Sequence, residues 1–302
     1  MKKSTANLLL LLIAIFWGSG FIVVKICLDL GISAGLVNVF RGGVFAVLSL
    51  IFFGKHIVKM DRRDLLIGTI AGICNFGGMF LQTIGVQYTT PSNNAFFAST
   101  YVVMVPFLAW IMAGKKPAGR NFLSIAICLA GLVILSGILS SGLSFNLGDI
   151  FSLCSALLYG ITIVYLGYHT KEIHFSAVAF MLGVVQAVGG LGYCFVMGDF
   201  AAPGTDWAVA IWPLLYLGAV CSFVAQTIQV AAQRHTSATS AGLIMMLEGF
   251  FGSVISVLIG FEALSVQLLI GGALIMLSIV FAEADLPAMF ARLRANHAAQ
   301  HR

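Results

Sequence analysis

The stretch Ala238-Thr-Ser-Ala-Gly-Leu-Ile-Met-Met-Leu-Glu248-Gly-Phe-Phe-Gly-Ser-Val-Ile-Ser-Val-Leu-Ile-Gly260 decides how this chain has to be read. Glu248 is its only charge, and the stretch is long enough to cross a bilayer, which takes roughly 20 mostly apolar residues. Glu248 falls near the centre, where estimates of the cost of an ionised acid start at about 2.5–3.5 kcal/mol. An acid at that depth has a partner or water beside it and reads as functional by default. The competing reading is a protonated Glu that hydrogen-bonds a neighbouring helix.

The rest of the chain has the same character. Its 302 residues are 60% hydrophobic and 9% charged, with a mean hydropathy of +1.03. Soluble domains carry about 25% charged residues, so no soluble core could hide this much apolar side chain. The fold class is therefore all-α and polytopic in a membrane. Cys27, Cys74, Cys128, Cys154, Cys194 and Cys221 all fall in apolar stretches and form no CxxC pair, which favours small core residues over disulfides or a metal site. Met1-Lys-Lys followed by Leu8–Phe16 has the outline of a signal peptide. Without a small-x-small cleavage site, and with the apolar run continuing to about Cys27, it reads as an uncleaved first span.

Hydropathy yields ten spans, at about 7–27, 34–53, 65–86, 93–113, 120–139, 148–167, 175–197, 208–231, 238–260 and 265–283. Alternate connections collect the basic residues: Lys2 and Lys3; Lys55, Lys59, Arg62 and Arg63; Lys115, Lys116 and Arg120; Lys171; Arg234; and Arg292, Arg294 and Arg302. Only Lys25 and Arg41 of the 16 Lys and Arg lie elsewhere, and the opposite connections hold Asp29, Asp199, Asp206 and Glu262. The positive-inside rule puts both termini in the cytoplasm. Topology thus accounts for the net charge of +5, and no nucleic-acid partner is expected.

Two successive units of five spans would lie upside down relative to each other, an arrangement frequent in transporters. Phe16-Trp17-Gly18 resembles Leu158-Tyr159-Gly160, and Gln87-Tyr-Thr-Thr90…Ala95…Gly114-Lys-Lys116 resembles Gln233-Arg-His-Thr236…Ala241…Gly260-Phe-Glu262. The expected division is residues 1–141, 142–284 and a cytoplasmic tail 285–302. In the tail, Leu286, Met289, Phe290 and Leu293 share one helical face beside Arg292 and Arg294, which suits either a short helix on the inner leaflet or a frayed end.

Phe16-Trp17-Gly18-Ser19-Gly20-Phe21-Ile-Val-Val-Lys25 resembles the first-helix signature of the drug/metabolite transporter superfamily in its EamA-like branch. Arg41-Gly-Gly-Val-Phe-Ala46 is similar to its second-helix pattern, and Leu247-Glu248-Gly249 with Phe261-Glu262-Ala-Leu-Ser265 to its ninth-helix ending. The resemblance implies ten helices in two inverted repeats, a central cavity, and movement of small metabolites across the cytoplasmic membrane, often outward. Gly249 stands where the family usually has proline and Phe261 where it usually has glycine. Glycine can still permit a bend, and Pro106 is the candidate for a kink in the other repeat.

Polar side chains mark the candidate site. Asn75, Met79 and Gln82 in the third span share one helical face, as do Ser222, Gln226 and Gln229 in the eighth. They read either as lining a common path or as interhelical hydrogen bonds worth about 0.6–2 kcal/mol each. Trp17, Tyr101 and Tyr159 offer apolar walls with polar handles, whereas Trp110, Trp207 and Trp212 suit an interfacial belt. Lys25 can snorkel to headgroups; Arg41 can do the same, pair with a carboxylate, or hold an anionic group of a substrate. The expected substrate-binding set is Trp17, Asn75, Met79, Gln82, Tyr101, Tyr159, Gln226 and Glu248, with Arg41 as a charge partner.

No H-x-x-x-H pair, P-loop or G-x-S-x-G elbow is present, so no enzyme, cofactor or metal is expected. The reading is a secondary transporter or facilitator for small organic metabolites, amino acids first and outward. Drugs, nucleosides or sugars are alternative cargo, and a passive channel is the alternative mechanism. Its partners are a small-molecule substrate and the bilayer of the cytoplasmic membrane, with a homodimer as an open option.

Overall fold

The computed structural model describes residues 1–89, 91–117, 119–135, 146–170, 174–260 and 264–283. In chain order they form α1 (Lys3–Asp29), α2 (Ala34–Ile57), α3 (Arg62–Tyr88), α4 (Pro91–Ser99), α5 (Tyr101–Ala113), α6 (Gly119–Leu135), α7 (Leu147–His169), α8 (Phe175–Met197) and α9 (Trp207–Tyr216). A π-helical segment, Leu217–Val224, leads into α10 (Ala225–Gln233), α11 (Ala238–Met245), α12 (Leu247–Leu258) and α13 (Val266–Glu283). Among the described residues there is no strand, only an isolated antiparallel bridge between Ile32 and Ala201. The expected class, a polytopic all-α membrane protein, is what the chain adopts. Eight stretches are long and apolar enough to cross a membrane by length and composition. The expected fifth and tenth spans fall on α6 and α13, whose apolar segments Asn121–Gly131 and Leu269–Ser278 are shorter. The tail from residue 284, Thr90, Lys171 and Phe261–Ala263 with Glu262 lie outside the described residues.

Local signals set the helix ends. Ser33 caps α2 by accepting from Leu36 N–H at 3.1 Å. Asp61 with Asp64, and Asn146 with Asp149, form reciprocal capping boxes at the starts of α3 and α7. Gly114 and Gly198 end α5 and α8 in the left-handed region. Lys25 pairs with Asp29 at 2.7 Å, one turn along the exposed end of α1. Such a surface pair contributes only about 0–1 kcal/mol.

Two expected spans are broken. The fourth stops at Thr100, where Val103 N–H donates to Thr100 O at 3.0 Å; the ninth stops at Met246, where Gly249 N–H donates to Met246 O at 3.2 Å. Both breaks are single tight turns of i→i+3 bonding. Pro106 lies inside α5 beyond the first break, and the second needs no proline at all. The breaks stand 146 residues apart, and so do Gly114 and Gly260, both with positive φ.

Helices associate in a bilayer by close packing of small residues, and the glycine-rich seventh span shows why its glycines are there. α2 lies along α8, and a Cβ on Gly42 would sit 2.3 Å from Ala187 N, one on Gly190 2.7 Å from Gly35 O. α1 meets α12 in the same way: a Cβ on Gly18 would lie 2.7 Å from Gly252 N and 2.8 Å from Glu248 O. α3 runs against α7 and α8, and α6 against α13. The largest buried apolar cluster joins α1, α5, α7, α10, α11 and α12.

At the end of the α2–α8 seam the rings of His56 and His174 stack at 4.3 Å, and His174 caps α8 through Ser176. Burial, then His56 and Arg234, lower the His174 pKa below the ordinary imidazole value, while Asp64 opposes them. A lowered folded pKa means that this contribution to stability is complete above the unfolded value, about 6.5, and is lost as pH falls. The detergent-solubilised protein is therefore expected to melt at a lower temperature at pH 5 than at pH 7, with a smaller difference in His174→Gln. The seam itself is tested by neighbouring glycines. Gly42→Ala is expected to cost about 1–3 kcal/mol through overpacking, read as a fall in melting temperature. Gly43→Ala, which has nothing within 4 Å of its Cβ position, leaves the melting temperature unchanged or raises it.

Candidate functional site

A central cavity of about 620 Å³, open space at its mouth included, lies among α1, α2, α3, α5, α7, the π-helical segment, α10 and α12. Trp17, Arg41, Asn75, Met79, Gln82, Tyr101, Tyr159 and Glu248 all line it, as does Gln229. Eight of the nine side chains singled out in the sequence thus meet in one place. Gln226 does not line it. It is fully buried behind Asn75, whose Nδ2 donates to Gln226 Oε1 at 3.0 Å. Phe21, Val24, Val86, Thr162, Ile163 and Cys221 complete the walls with Gly20. Thr162 could have been found one turn along from Tyr159, and Phe21 within the first-helix signature. Cys221 carries no such signal.

Glu248 is placed by the break at Met246. α12 starts at Leu247, so Glu248 sits in its first turn, where the free N–H groups and helix dipole favour a carboxylate. The close approach of Gly18 to Glu248 O holds that turn against α1 beside Trp17. Glu248 is 4% exposed, and the Tyr101 hydroxyl lies beside its carboxyl, within hydrogen-bonding reach. A phenol next to a buried acid supplies a donor to the carboxyl that the apolar surroundings do not.

Arg41, also 4% exposed, reaches from α2 and donates through Nε to Ser222 Oγ at 3.2 Å. Its partner belongs to the π-helical segment, a form that recurs at functional sites. The same segment offers Cys221 O to Trp17 Nε1 at 2.8 Å, which fixes the indole at the cavity wall. On the opposite side Tyr159 OH donates to Gln82 Oε1 at 2.8 Å. Tyr159 is within electrostatic reach of both Arg41 and Glu248, yet no ion pair joins these two charges among the described residues. Each cavity hydrogen bond named here joins a side chain N-terminal to residue 141 to a group C-terminal to it. No group of three or more His, Cys, Asp or Glu capable of holding a metal exists among the described residues.

The profile of the EamA-like transporter family matches residues 4–137 and again 146–283. The chain belongs to the EamA-like transporter family. This EamA-like chain is 31% identical over 281 residues to an uncharacterized transporter of Archaeoglobus fulgidus, covering 93% of this chain and 86% of that one. It is 25% identical over 197 residues to solute carrier family 35 member F2 of Mus musculus, covering 62% and 52% respectively. Its fold resembles a solved crystal structure with a TM-score of 0.72 at 17% identity, over 94% of this chain and 97% of the other. An EamA-like membership makes it a membrane transporter of small solutes, not an enzyme.

The Asn75–Gln226 bond is open to a double-mutant cycle. Asn75→Ala and Gln226→Ala, measured singly and together by unfolding in mixed micelles, are expected to show a coupling of about 0.6–2 kcal/mol. Additive effects would mean that the two amides do not hold each other.

Proposed function

We propose that this transporter is a secondary carrier for small zwitterionic solutes, amino acids first among them, exporting them across the cytoplasmic membrane by alternating access. The observation that carries the reading is one acid and one guanidinium buried in the same cavity without pairing with each other. A desolvated charge with no counter-charge is costly, and a zwitterion brings a counter-charge for each. Its amine goes to Glu248 and its carboxylate to Arg41, while Gln82, Asn75 and the Tyr101 hydroxyl supply neutral hydrogen bonds. A sugar or nucleoside would engage the amides but leave both charges uncompensated.

The moving parts in this reading are two inverted repeats, residues 1–141 and 142–284. The equal spacing of the helix breaks and of the glycine caps supports it, as does the twofold match to one family profile. Helix partners support it as well: α1 packs on α12 as α7 packs on α4 and α5. Both termini face the cytoplasm, on the side that collects the basic residues. A second reading rests on the Tyr101 hydroxyl beside the buried carboxyl: Glu248 exchanges a coupling proton, and substrate amine and proton compete for it.

Counterflow of a radiolabelled amino acid in proteoliposomes tests both. The intact amino acid is expected to compete at least about tenfold better than its decarboxylated amine or its deaminated acid, since each loses a charged hydrogen bond. Glu248→Gln is expected to lower flux about tenfold or more and to abolish discrimination against the deaminated acid; Arg41→Gln does the same for the amine. Equal competition by all three analogues would sink the zwitterion reading. Persistent pH-gradient dependence in Glu248→Gln would remove the proton from Glu248.

A further inference from the structure

A second cavity, of about 660 Å³ with its open space included, lies at the bundle end where α5 stops and α11 begins. Lys115 and Lys116 stand on one wall, just beyond the left-handed cap at Gly114. The Lys115 ammonium lies over the Tyr168 ring, 5.4 Å from its centroid, which directs it along the wall contributed by α7. The facing wall is the start of α11, with Ser237, Thr239 and Ser240. Ser237 caps that helix by accepting from Ser240 N–H at 3.0 Å, and the first turn keeps further N–H groups without intrahelical acceptors. Asn121 adds an amide from α6. Among the described residues no carboxylate lines this space, and neither lysine has an acidic partner. Pro106 and Leu243 form an apolar floor.

We propose that this cavity is a binding site for a phosphate group, either the phosphodiester of an anionic phospholipid headgroup or free phosphate. Two lysines, the Thr239 and Ser240 hydroxyls and an amide lining one space match an anion with several acceptor oxygens better than a single carboxylate, while the Ser237 hydroxyl is taken up by Ser240 Oγ at 2.8 Å. The strip of α5 just before the lysines is apolar and outward-facing, with Ile111 79% and Trp110 46% exposed, which is the surface that acyl chains cover. The site is separate from the central cavity and does not depend on what that cavity carries. Its occupant would nonetheless reach it mechanically. The phosphate bridges the C-terminal end of α5, whose first residue is Tyr101, to the N-terminal end of α11, whose continuation carries Glu248.

The test uses the full chain, purified in a neutral detergent and then presented with phosphatidylglycerol, phosphatidylcholine or inorganic phosphate. Retained lipid is counted by native mass spectrometry and bound phosphate by calorimetry. Wild type is expected to retain phosphatidylglycerol over phosphatidylcholine, and Lys115→Gln/Lys116→Gln to weaken that retention roughly tenfold or more. Lys55→Gln/Lys59→Gln, which alters exposed lysines outside the cavity, keeps wild-type retention. Saturable binding of inorganic phosphate, lost in the Lys115/Lys116 variant and without lipid preference, assigns the site to free phosphate. Three results overturn the proposal: equal retention of both lipids with no phosphate binding, unchanged binding in the Lys115/Lys116 variant, or equal loss in the two double variants. Both pairs are surface lysines, and the far-ultraviolet spectrum and elution volume of each variant establish that it is folded.

Discussion

The burial of Glu248 in an otherwise apolar span is the constraint on which the rest of the cavity depends. An acid near mid-membrane needs compensation, and the chain supplies it in layers. The helix stops at Met246 and restarts at Leu247, so the carboxyl meets the positive end of a new helix. A glycine on α1 lets that turn come close enough for Trp17 to share its space. Tyr101 arrives from a second broken span, so one interrupted helix faces the other across the carboxyl.

Around this centre the polar bonds follow one rule: Trp17 to Cys221, Arg41 to Ser222, Asn75 to Gln226 and Gln82 to Tyr159 each cross from one half of the chain to the other. Where helices have no hydrophobic reason to associate in lipid, such bonds and close packing supply the attraction. They also concentrate the attraction around the cavity. The two halves are not equivalent there. The π-helical segment belongs to the second half alone among the described residues, and it carries both Cys221 and Ser222. That half contributes a backbone acceptor and a hydroxyl where the first half contributes an indole and a guanidinium.

Much of this was legible in the sequence. Apolar length gave the class, and polar residues at helical spacing gave Asn75, Met79 and Gln82 as one face, because the cost of polarity in lipid leaves few ways to place them. Periodicity assigns a face but not a depth. It therefore set Gln226 with the cavity-lining residues, when Asn75 takes the amide and Gln226 stands behind it. The breaks at Thr100 and Met246 were invisible, since neither coincides with a proline and a single i→i+3 bond needs no special residue. The change to π bonding has no compositional mark either, so Cys221 read as filler. Lys25 read as a snorkelling residue because its partner Asp29 was counted only for topology.

The seam between α2 and α8 has a further meaning. Helices that interlock through bulky side chains resist sliding, because each ridge must climb out of its groove. At Gly42, Gly183 and Gly190 backbone lies against backbone, whereas Gly35 packs under the Cys194 and Tyr193 side chains. Between these contacts the Gln186 amide donates to Asn38 Oδ1 at 2.9 Å, and the His56 and His174 rings stack at one end, so the seam is both close-packed and pinned along its length. Sliding α2 along α8 would break that buried amide bond, so the register of the two helices, and not only their closeness, is set by the seam.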